Sequence, residues 1–425
     1  MRKDMKFKVD MKLIKQTFES KEILNIKEQI ETELKKINIK RRIYPGTKIG
    51  ITAGSRGIDR IDEVLAIVSN VIVEYGGSPI VIASMGSHGG ATREGQLEIL
   101  KHYGISEENL GIPVQASDRT FVLGKLDNGL RIYVNDLVKI LDGLIIINRI
   151  KVHTSFKADI ESGLNKMVAI GLGHHDGASL IHSLGVQNLH KNILKFAEQI
   201  IMRLPIIGGI GILENSYDRI MEIHAVEPNN FQKIDKELLI KCKKILPRLP
   251  VDNIDLLIIH EIGKNFSGTG MDSNIVGGIF NYNIEKNDSF TIPQIKEILV
   301  LDISKESNGN AHGIGWATAI TKKLYNKIDF KTTYINSITS GFLWKSRIPM
   351  VFATEKDAIT TFLKIFGNYN KQEPRIIVIK NTSDLDKMYV TKEIWEGLKD
   401  NRAFFSEDCS YQLDFNKQGE LDLTL

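Results

Sequence analysis

Apolar and polar positions near the start of the chain follow the pattern of a strand, a helix and a second strand. The segment TKIGITAG at 47–54 alternates apolar residues and ends at a glycine, and SPIVIASMG at 78–86 repeats this pattern. Between them, apolar residues recur at helical spacing over 58–72, and two glycines follow. The pattern predicts a βαβ unit, whose crossover makes the two strands parallel and places their C-terminal loops at one edge of a sheet.

Three more elements can be predicted before the middle of the chain. FVLGKLDNGLRIYV at 121–134 is typical of a hairpin that turns at Asn128 and Gly129. The apolar run GLIIINRI at 143–150 predicts a buried strand, and HKNILKFAEQIIMRL at 190–204 predicts an amphipathic helix.

A change of pattern indicates a domain boundary near the segment LPRLPVDN, where two prolines precede a polar turn at about 247–252. Strands, glycine-rich loops and helices then recur, with apolar strand patterns at 254–260, 297–303 and 375–381. The sequence therefore predicts an α/β protein with two α/β domains, residues 1–250 and 251–425, facing each other across a cleft.

The bulk composition excludes several classes of protein. Of the 425 residues, 42% are hydrophobic and 25% charged, which is ordinary for a globular chain. Lysine and arginine number 56 against 52 acidic residues, without a basic block, so we expect no nucleic-acid partner. Cys242 and Cys409 form no CxxC pair, and no apolar run approaches the length of a membrane span. We therefore expect a cytoplasmic protein that does not associate with membranes.

Three predicted strand ends carry polar side chains among small residues. Ser55 and Arg56 follow the first strand, His88 lies in SMGSHGG after the second, and His153 follows the strand at 143–150. Glycines let a ligand approach the backbone closely, and helix N-termini suit phosphate or carboxylate groups. Neither a dinucleotide-binding motif nor a P-loop is present, so the loops alone do not identify the ligand.

Histidines are concentrated between residues 88 and 190. Six of the ten lie in this stretch: His88, His153, His174, His175, His182 and His190. Such crowding is compatible with a metal site, with a pair of proton-transfer groups, or with both. From the residues alone, a metal-dependent hydrolase with zinc or manganese ligands and a non-catalytic anion-binding module remain alternatives, although no HExxH motif is present.

The combination of motifs over most of residues 40–200 resembles the nickel-pincer lactate racemase family, whose enzymes act on 2-hydroxy acids. A histidine in a glycine-rich strand end matches His88, and a second histidine after a later strand matches His153. The family's S-G-x-x-K segment matches SGLNK at 162–166. The resemblance implies a racemase or 2-epimerase, an isomerase in which the two histidines are catalytic and hydride moves reversibly between substrate and cofactor.

The resemblance also implies the cofactor and its partners. The cofactor is nickel held by pyridinium-3-thioamide-5-thiocarboxylic acid mononucleotide, covalently attached to Lys166 and made by dedicated cofactor-biosynthesis proteins. His182 would be the nickel ligand from the protein. The residues implied to contact the cofactor are Ser55, Arg56, Ser162 and Gly163, with Arg56 also contacting substrate. Domain 1–250 would bind the cofactor, domain 251–425 would close over the substrate, and Lys157 is a weaker candidate for the attachment.

This sequence departs from the family in two loops. The first strand end reads TAGSR, without the acidic residues that precede the arginine in the family. In the second domain, GKNFSGTGMDSN at 263–274 replaces the family's Gln/Lys substrate-binding pattern. There Lys264 could bind a carboxylate, and Asn265 and Asp272, together with Ser267 and Thr269, could bind hydroxyl groups. The loop predicts a small-molecule substrate larger or more hydroxylated than lactate, such as an aldonate.

Overall fold

The computed structural model describes residues 8–154, 156–185, 188–277, 293–369, 373–406, 409–423 and 425. Within them the chain divides into two compact units. The first unit contains Glu19–Leu246, and the second combines the residues before Glu19 with those from Pro247 onward. The first unit is built on a largely parallel sheet and the second on a mixed sheet, and helices pack on both sheets, so the predicted α/β fold class is confirmed.

The strands in chain order are β1 Asp10–Gln16, β2 Lys48–Ala53, β3 Ser78–Ala83, β4 Val114–Gln115, β5 Thr120–Lys125, β6 Arg131–Asn135, β7 Gly143–Arg149, β8 Ile206–Glu214, β9 Ile220–Val226, β10 Asn253–Ile262, β11 Gln294–Ile303, β12 Ala319–Thr321, β13 Met350–Phe352, β14 Ile376–Ile379, β15 Lys387–Thr391, β16 Phe404–Ser406 and β17 Tyr411–Gln412. The helices are α1 Ile26–Lys36, α2 Ile61–Glu74, α3 Arg93–His102, α4 Glu107–Leu110, α5 Leu164–Lys166, α6 His174–Ser183, α7 Leu189–Ile201, α8 Phe231–Ile245, α9 Ser273–Val276, α10 Lys322–Tyr325, α11 Phe330–Ser340, α12 Glu355–Tyr369 and α13 Lys392–Leu398.

The sheet of the first unit has the strand order β4-β3-β2-β7-β8-β9. All neighbouring pairs are parallel except β8 with β9, and β2-α2-β3 forms the predicted βαβ unit. The inner strands are buried almost throughout because helices cover both faces of the sheet. Helices α1 and α2 pack on one face, and α5, α7 and α8 pack on the other. The predicted hairpin is also present as the separate pair β5-β6.

The sheet of the second unit has the order β13-β12-β11-β10-β14-β15-β1-β16, with β17 also paired to β1. Strands β10 to β14 are mutually parallel, whereas β15, β1 and β16 continue the sheet in antiparallel pairs. The first strand of the chain thus lies between β15 and β16, near the other end of the sequence. Among the described helices, none combines the length and apolar character that a membrane span requires.

Candidate active site

The three strand ends singled out in the sequence lie side by side. Strand β2 pairs in parallel with β3 on one side and with β7 on the other. Arg56 follows β2, His88 follows β3 and His153 follows β7. Because the C-terminal ends of parallel strands meet at one edge, the fold brings these three loops together there.

Ser55 and His88 join two of these loops through a short hydrogen bond between Ser55 Oγ and Nδ1 of the imidazole. The loop around His88 turns at Gly86, Gly89 and Gly90, all with φ between 61° and 66°. A Cβ at Gly89 would lie 2.6 Å from the carbonyl carbon of Gly95, so a side chain does not fit there. The glycines therefore allow the tight turn, and Ser55 orients the exposed ring of His88.

Two polar side chains, Glu161 and Ser162, hold the loop that contains His153 by hydrogen bonds to its backbone. Ser162 Oγ accepts a hydrogen bond from Lys151 N at 2.7 Å and donates one to Lys151 O at 2.6 Å. The buried carboxylate of Glu161 accepts from His153 N at 2.7 Å and from Ala158 N at 3.2 Å. Ser162, predicted to contact cofactor, thus has its hydroxyl engaged in holding this loop.

Asp235, on α8, caps the short helix that carries Lys166. Its carboxylate accepts from Leu164 N at 2.8 Å, from Asn165 N at 2.9 Å and from Asn165 Nδ2 at 2.8 Å. Gly163 precedes the helix with φ +97°, and a Cβ there would lie 2.1 Å from Asp235 Oδ1. The glycine of SGLNK is therefore required by the close approach of the capping carboxylate.

The amine of Lys166 is partly buried at the end of this helix, where a π-helical segment, Met167–Gly171, begins. Burial, together with the positive charge of Arg56, lowers the pKa of Lys166 to about 8, and the carboxylate of Glu161 opposes this shift. Within the described part of the chain, no group accepts a hydrogen bond from Nζ. The amine thus has the properties of a nucleophile rather than of a structural ion-pair partner.

Phe156 connects Lys166 with His153. The buried aromatic ring lies 4.3 Å from the imidazole of His153, between ring centroids, and 6.0 Å from Lys166 Nζ. The two predicted site residues therefore both lie near the same side chain.

His182 lies in the last turn of α6, where part of its side chain is exposed to solvent and part is covered by the protein. Its pKa is lowered from the usual value by partial burial and by the positive charge of Lys166. Its imidazole is therefore neutral at neutral pH and close enough to Lys166 for the two groups to interact electrostatically, and a neutral imidazole is the form that binds metals.

Arg56 also acts electrostatically on Lys166. Partial burial and the charge of Arg149 lower the pKa of Arg56 from its usual value, but a guanidinium stays protonated in proteins. The structure thus places a permanent cation beside the Lys166 amine, accessible to solvent and suited to a carboxylate or phosphate.

The remaining histidines of the crowded stretch differ in environment. His174 is buried, with Nδ1 accepting from His175 N at 2.7 Å and Nε2 contacting Ser117 O at 2.6 Å, so its ring nitrogens are used in the fold. His175 is exposed, and His190 is partly buried on α7. Across the described ranges, no three His, Cys, Asp or Glu side chains come together as a metal-binding group. The hydrolase alternative therefore lacks a donor set in the part of the chain that the structure describes.

Lys157 differs from Lys166 in its contacts. Its buried side chain donates to His153 O at 3.1 Å and lies 3.8 Å from the carboxylate of Glu161. The ammonium of Lys157 therefore lies beside the carboxylate that also supports the loop, and it donates to the backbone of the same loop.

The three substrate-binding candidates of the second unit occupy one loop. Lys264 Nζ donates to Gly268 O at 2.5 Å and to Asn336 Oδ1 at 2.6 Å. Asn265 Oδ1 accepts from Ser304 Oγ at 2.7 Å. Asp272 caps α9 by accepting from Asn274 N at 2.8 Å. Their contact with substrate stays a prediction. Ser267 and Thr269 are buried in the same loop and bonded to each other at 3.1 Å.

Sequence reasoning missed three residues that shape the site: Phe156, Glu161 and Asp235. Phe156 and Glu161 lie between the predicted residues His153 and Lys166, so their position in the segment was a usable signal. Asp235 approaches from α8, and nothing local to the segment indicates it.

Comparisons with known proteins were made for sequence and for structure. No family model matches the sequence, and no curated protein matches it. Among solved structures, the chain is similar to the lactate racemase apoprotein from Thermoanaerobacterium thermosaccharolyticum, with 12% identity and a TM-score of 0.50, over 89% of this chain and 99% of that chain. A protein from Thermotoga maritima aligns with 14% identity and a TM-score of 0.49, over 83% and 87% of the two chains. The chain thus has the fold of lactate racemase over most of its length, as the resemblance implied.

Proposed function

We propose that this protein is a racemase or 2-epimerase of a 2-hydroxy acid that holds a nickel-pincer nucleotide covalently on Lys166. The surroundings of Lys166 support the proposal: its amine is partly buried, the charge of Arg56 contributes to a pKa of about 8, and the charge of the amine lowers the pKa of His182. Phe156 lies beside both the imidazole of His153 and Lys166 Nζ. The shared fold with a lactate racemase supports it.

The residues of the site fit such a cofactor. An amine must lose its proton before it can form the thioamide bond to the cofactor, and a pKa of about 8 leaves about a tenth of Lys166 neutral at pH 7. Neutral His182 provides a nitrogen donor of the kind that nickel accepts. Arg56 provides positive charge for a carboxylate or phosphate. We therefore propose Lys166 as the point of attachment, His182 as the metal ligand and Arg56 as the anion contact.

The reaction also needs groups that handle a proton. When bound, the cofactor would take up hydride from C2 of the hydroxy acid and return it to either face. His88 and His153 would accept the proton of the substrate hydroxyl and return it, one serving each stereoisomer. Ser55 would hold the ring of His88, and Phe156 would hold that of His153, so each base keeps one orientation.

Mass spectrometry tests the attachment. Protein made together with the cofactor-building proteins should gain mass that maps to Lys166 and should contain about one nickel per chain. Lys166→Arg should remove the added mass, whereas the matched control Lys157→Arg should retain it. An unmodified Lys166 in protein produced in this way would overturn the proposal.

A label experiment tests the chemistry. Loaded enzyme is incubated with 2-hydroxy acids deuterated at C2, from lactate through malate to aldonates. Hydride return predicts product that retains the deuterium, and exchange of the label with water would argue for proton abstraction at carbon instead. Activity on simple addition of zinc or manganese, with Lys166 unmodified, would favour the metal-dependent hydrolase.

A further inference from the structure

Three charged side chains, Lys157, Glu161 and Lys243, form an ion-pair cluster beside the loop that contains His153. Glu161 is 1% exposed. Its Oε1 lies 3.1 Å from Nζ of Lys243, and its carboxylate lies 3.8 Å from Nζ of Lys157. A buried carboxylate is costly unless it is paired and hydrogen-bonded, so the loss of a cation should disturb the groups that Glu161 holds.

The ion-pair cluster binds the backbone of the loop at two residues. At His153, Glu161 accepts from the N–H at 2.7 Å and Lys157 donates to the carbonyl oxygen at 3.1 Å. At Ala158, Glu161 accepts from the N–H at 3.2 Å and Lys243 donates to the carbonyl oxygen at 3.4 Å. The segment between these two residues is therefore held at both ends by the same three side chains.

The held segment includes the aromatic ring that lies near two predicted site residues. The ring of Phe156 lies 4.3 Å from the imidazole of His153, between centroids, and its centroid lies 6.0 Å from Lys166 Nζ. A displacement of the segment would therefore move both His153 and the ring beside Lys166.

Helix α8 connects the ion-pair cluster with the helix that carries Lys166. Lys243 lies on α8, eight residues after Asp235, whose carboxylate caps α5. Eight residues of α-helix span about 12 Å. One helix thus contacts the segment that presents Lys166 and, through Glu161, the segment that presents His153.

Another lysine of α8, Lys236, also contacts the loop but is exposed. Its Nζ lies 2.7 Å from Asp159 Oδ2, and the two side chains are 51% and 76% exposed. Exposed ion pairs contribute little to stability, whereas removal of one partner of a buried pair is strongly destabilising. Lys236 is therefore the matched control for Lys243.

We propose that Lys157, Glu161 and Lys243 are positioning residues that hold His153 in the orientation needed for proton transfer at the substrate hydroxyl. The proposal rests on the proposed function, since it assigns the ion-pair cluster a role for one of the two bases. The three residues act through the backbone of His153, so their removal should lower kcat more than it changes KM.

Hydrogen–deuterium exchange of the full-length apoprotein tests the arrangement without the cofactor. In wild type the amides of His153 and Ala158 should be protected, because each donates to Glu161. Lys243→Met should speed their exchange about tenfold or more. Lys243→Arg keeps the cation and should restore most of the protection, and Lys236→Met should leave exchange within about twofold of wild type. Unchanged exchange in Lys243→Met would overturn the proposal.

Glu161→Gln tests the ion-pair cluster even if Lys243→Met does not fold. Glutamine keeps the shape of the side chain but has one acceptor oxygen in place of the two that accept from His153 N and Ala158 N. One of these two amides should therefore lose its protection. Retention of both protected amides would count against the assigned contacts.

Kinetics of the loaded enzyme test the positioning role. Lys243→Met should lower kcat about tenfold or more, with KM within about threefold of wild type and the mass added at Lys166 retained. Lys243→Arg should recover most of the wild-type kcat. A wild-type kcat in Lys243→Met would overturn the role. Loaded wild-type protein without isomerase activity would instead overturn the proposed function, and the exchange experiment would still decide whether the cluster holds the loop.

Discussion

Asp235 and Asn165 are joined by two hydrogen bonds, from the backbone N–H at 2.9 Å and from the side-chain amide at 2.8 Å. A third bond, from Leu164 N at 2.8 Å, completes the cap of the helix that presents Lys166. The carboxylate is fully buried, so the orientation of the proposed attachment residue depends on an acid without contact to solvent.

The stability of the protein should depend on the titration of Asp235. Burial raises its pKa to about 7, in opposition to the three hydrogen bonds, whereas an aspartate in an unfolded chain titrates near pH 4. Between about pH 4 and about pH 7, the carboxyl group of Asp235 is therefore protonated in the folded state but ionised in the unfolded chain. The contribution of this group to the free energy of unfolding therefore falls by about 4 kcal/mol as pH rises from about 4 to about 7.

Asp235→Asn removes this titration. Urea denaturation of both proteins at several pH values should show the stability of wild type relative to the variant decreasing as pH rises from about 4 to about 7. A difference that stays constant over this interval would contradict the raised pKa.

Gly163→Ala should destabilise the protein strongly. A Cβ at this position would meet Asp235 Oδ1 at 2.1 Å, and the backbone has φ +97°, where side chains are strained. We expect a loss of about 3 kcal/mol in the free energy of unfolding. Gly129→Ala is the control, since Gly129 has φ +83° but open space around it, and should cost about 1 kcal/mol. Equal losses in the two variants would mean that the contact with Asp235 contributes nothing.

Arg56→Gln should raise the pKa of Lys166, because the charge of Arg56 lowers it. Competitive labelling of apoprotein with acetic anhydride at pH 7, followed by peptide mass spectrometry, reports the neutral fraction of each lysine. Labelling of Lys166 should slow about threefold in the variant. Arg60→Gln, which removes an exposed arginine paired with Glu63 in the same loop, should leave the rate unchanged. An unchanged rate in Arg56→Gln as well would exclude the interaction.

Ser55→Ala should slow turnover without affecting cofactor attachment, because the hydroxyl orients the imidazole of His88. Loss of one hydrogen bond of about 1 kcal/mol corresponds to about a fivefold lower rate of racemisation by the loaded enzyme. Ser87→Ala is the control, because Ser87 directly precedes His88 in the chain. The role assigned to Ser55 would be wrong if both variants kept the wild-type rate, or if Ser55→Ala also lost the mass added at Lys166.

The strands and loops of the first sheet could be predicted because their signals are local. Alternation of apolar residues and the glycines at the strand ends indicated β2, β3 and β7, and the βαβ rule then placed their loops at one edge. The spacing in SGLNK pointed to Lys166 in the same way.

The remaining features depend on contacts between distant parts of the chain. Nothing near Lys166 indicates that Asp235 caps its helix. The sequence alone could not distinguish the roles of His174 and His182. The two differ in burial and in the contact of His174 with Ser117 O, and both depend on the fold.

The position of β1 has a consequence for how the protein is made. Asp10–Gln16 is synthesised long before its partners Lys387–Thr391 and Phe404–Ser406. The second sheet therefore cannot be completed until Phe404–Ser406 has been synthesised, and β1 lacks these partners until then. A fragment beginning at Pro247 would lack this strand, leaving the edge of β15 open to pairing with other chains. Expression of the second unit alone therefore requires residues 8–18 to be supplied in the same chain as the fragment that begins at Pro247.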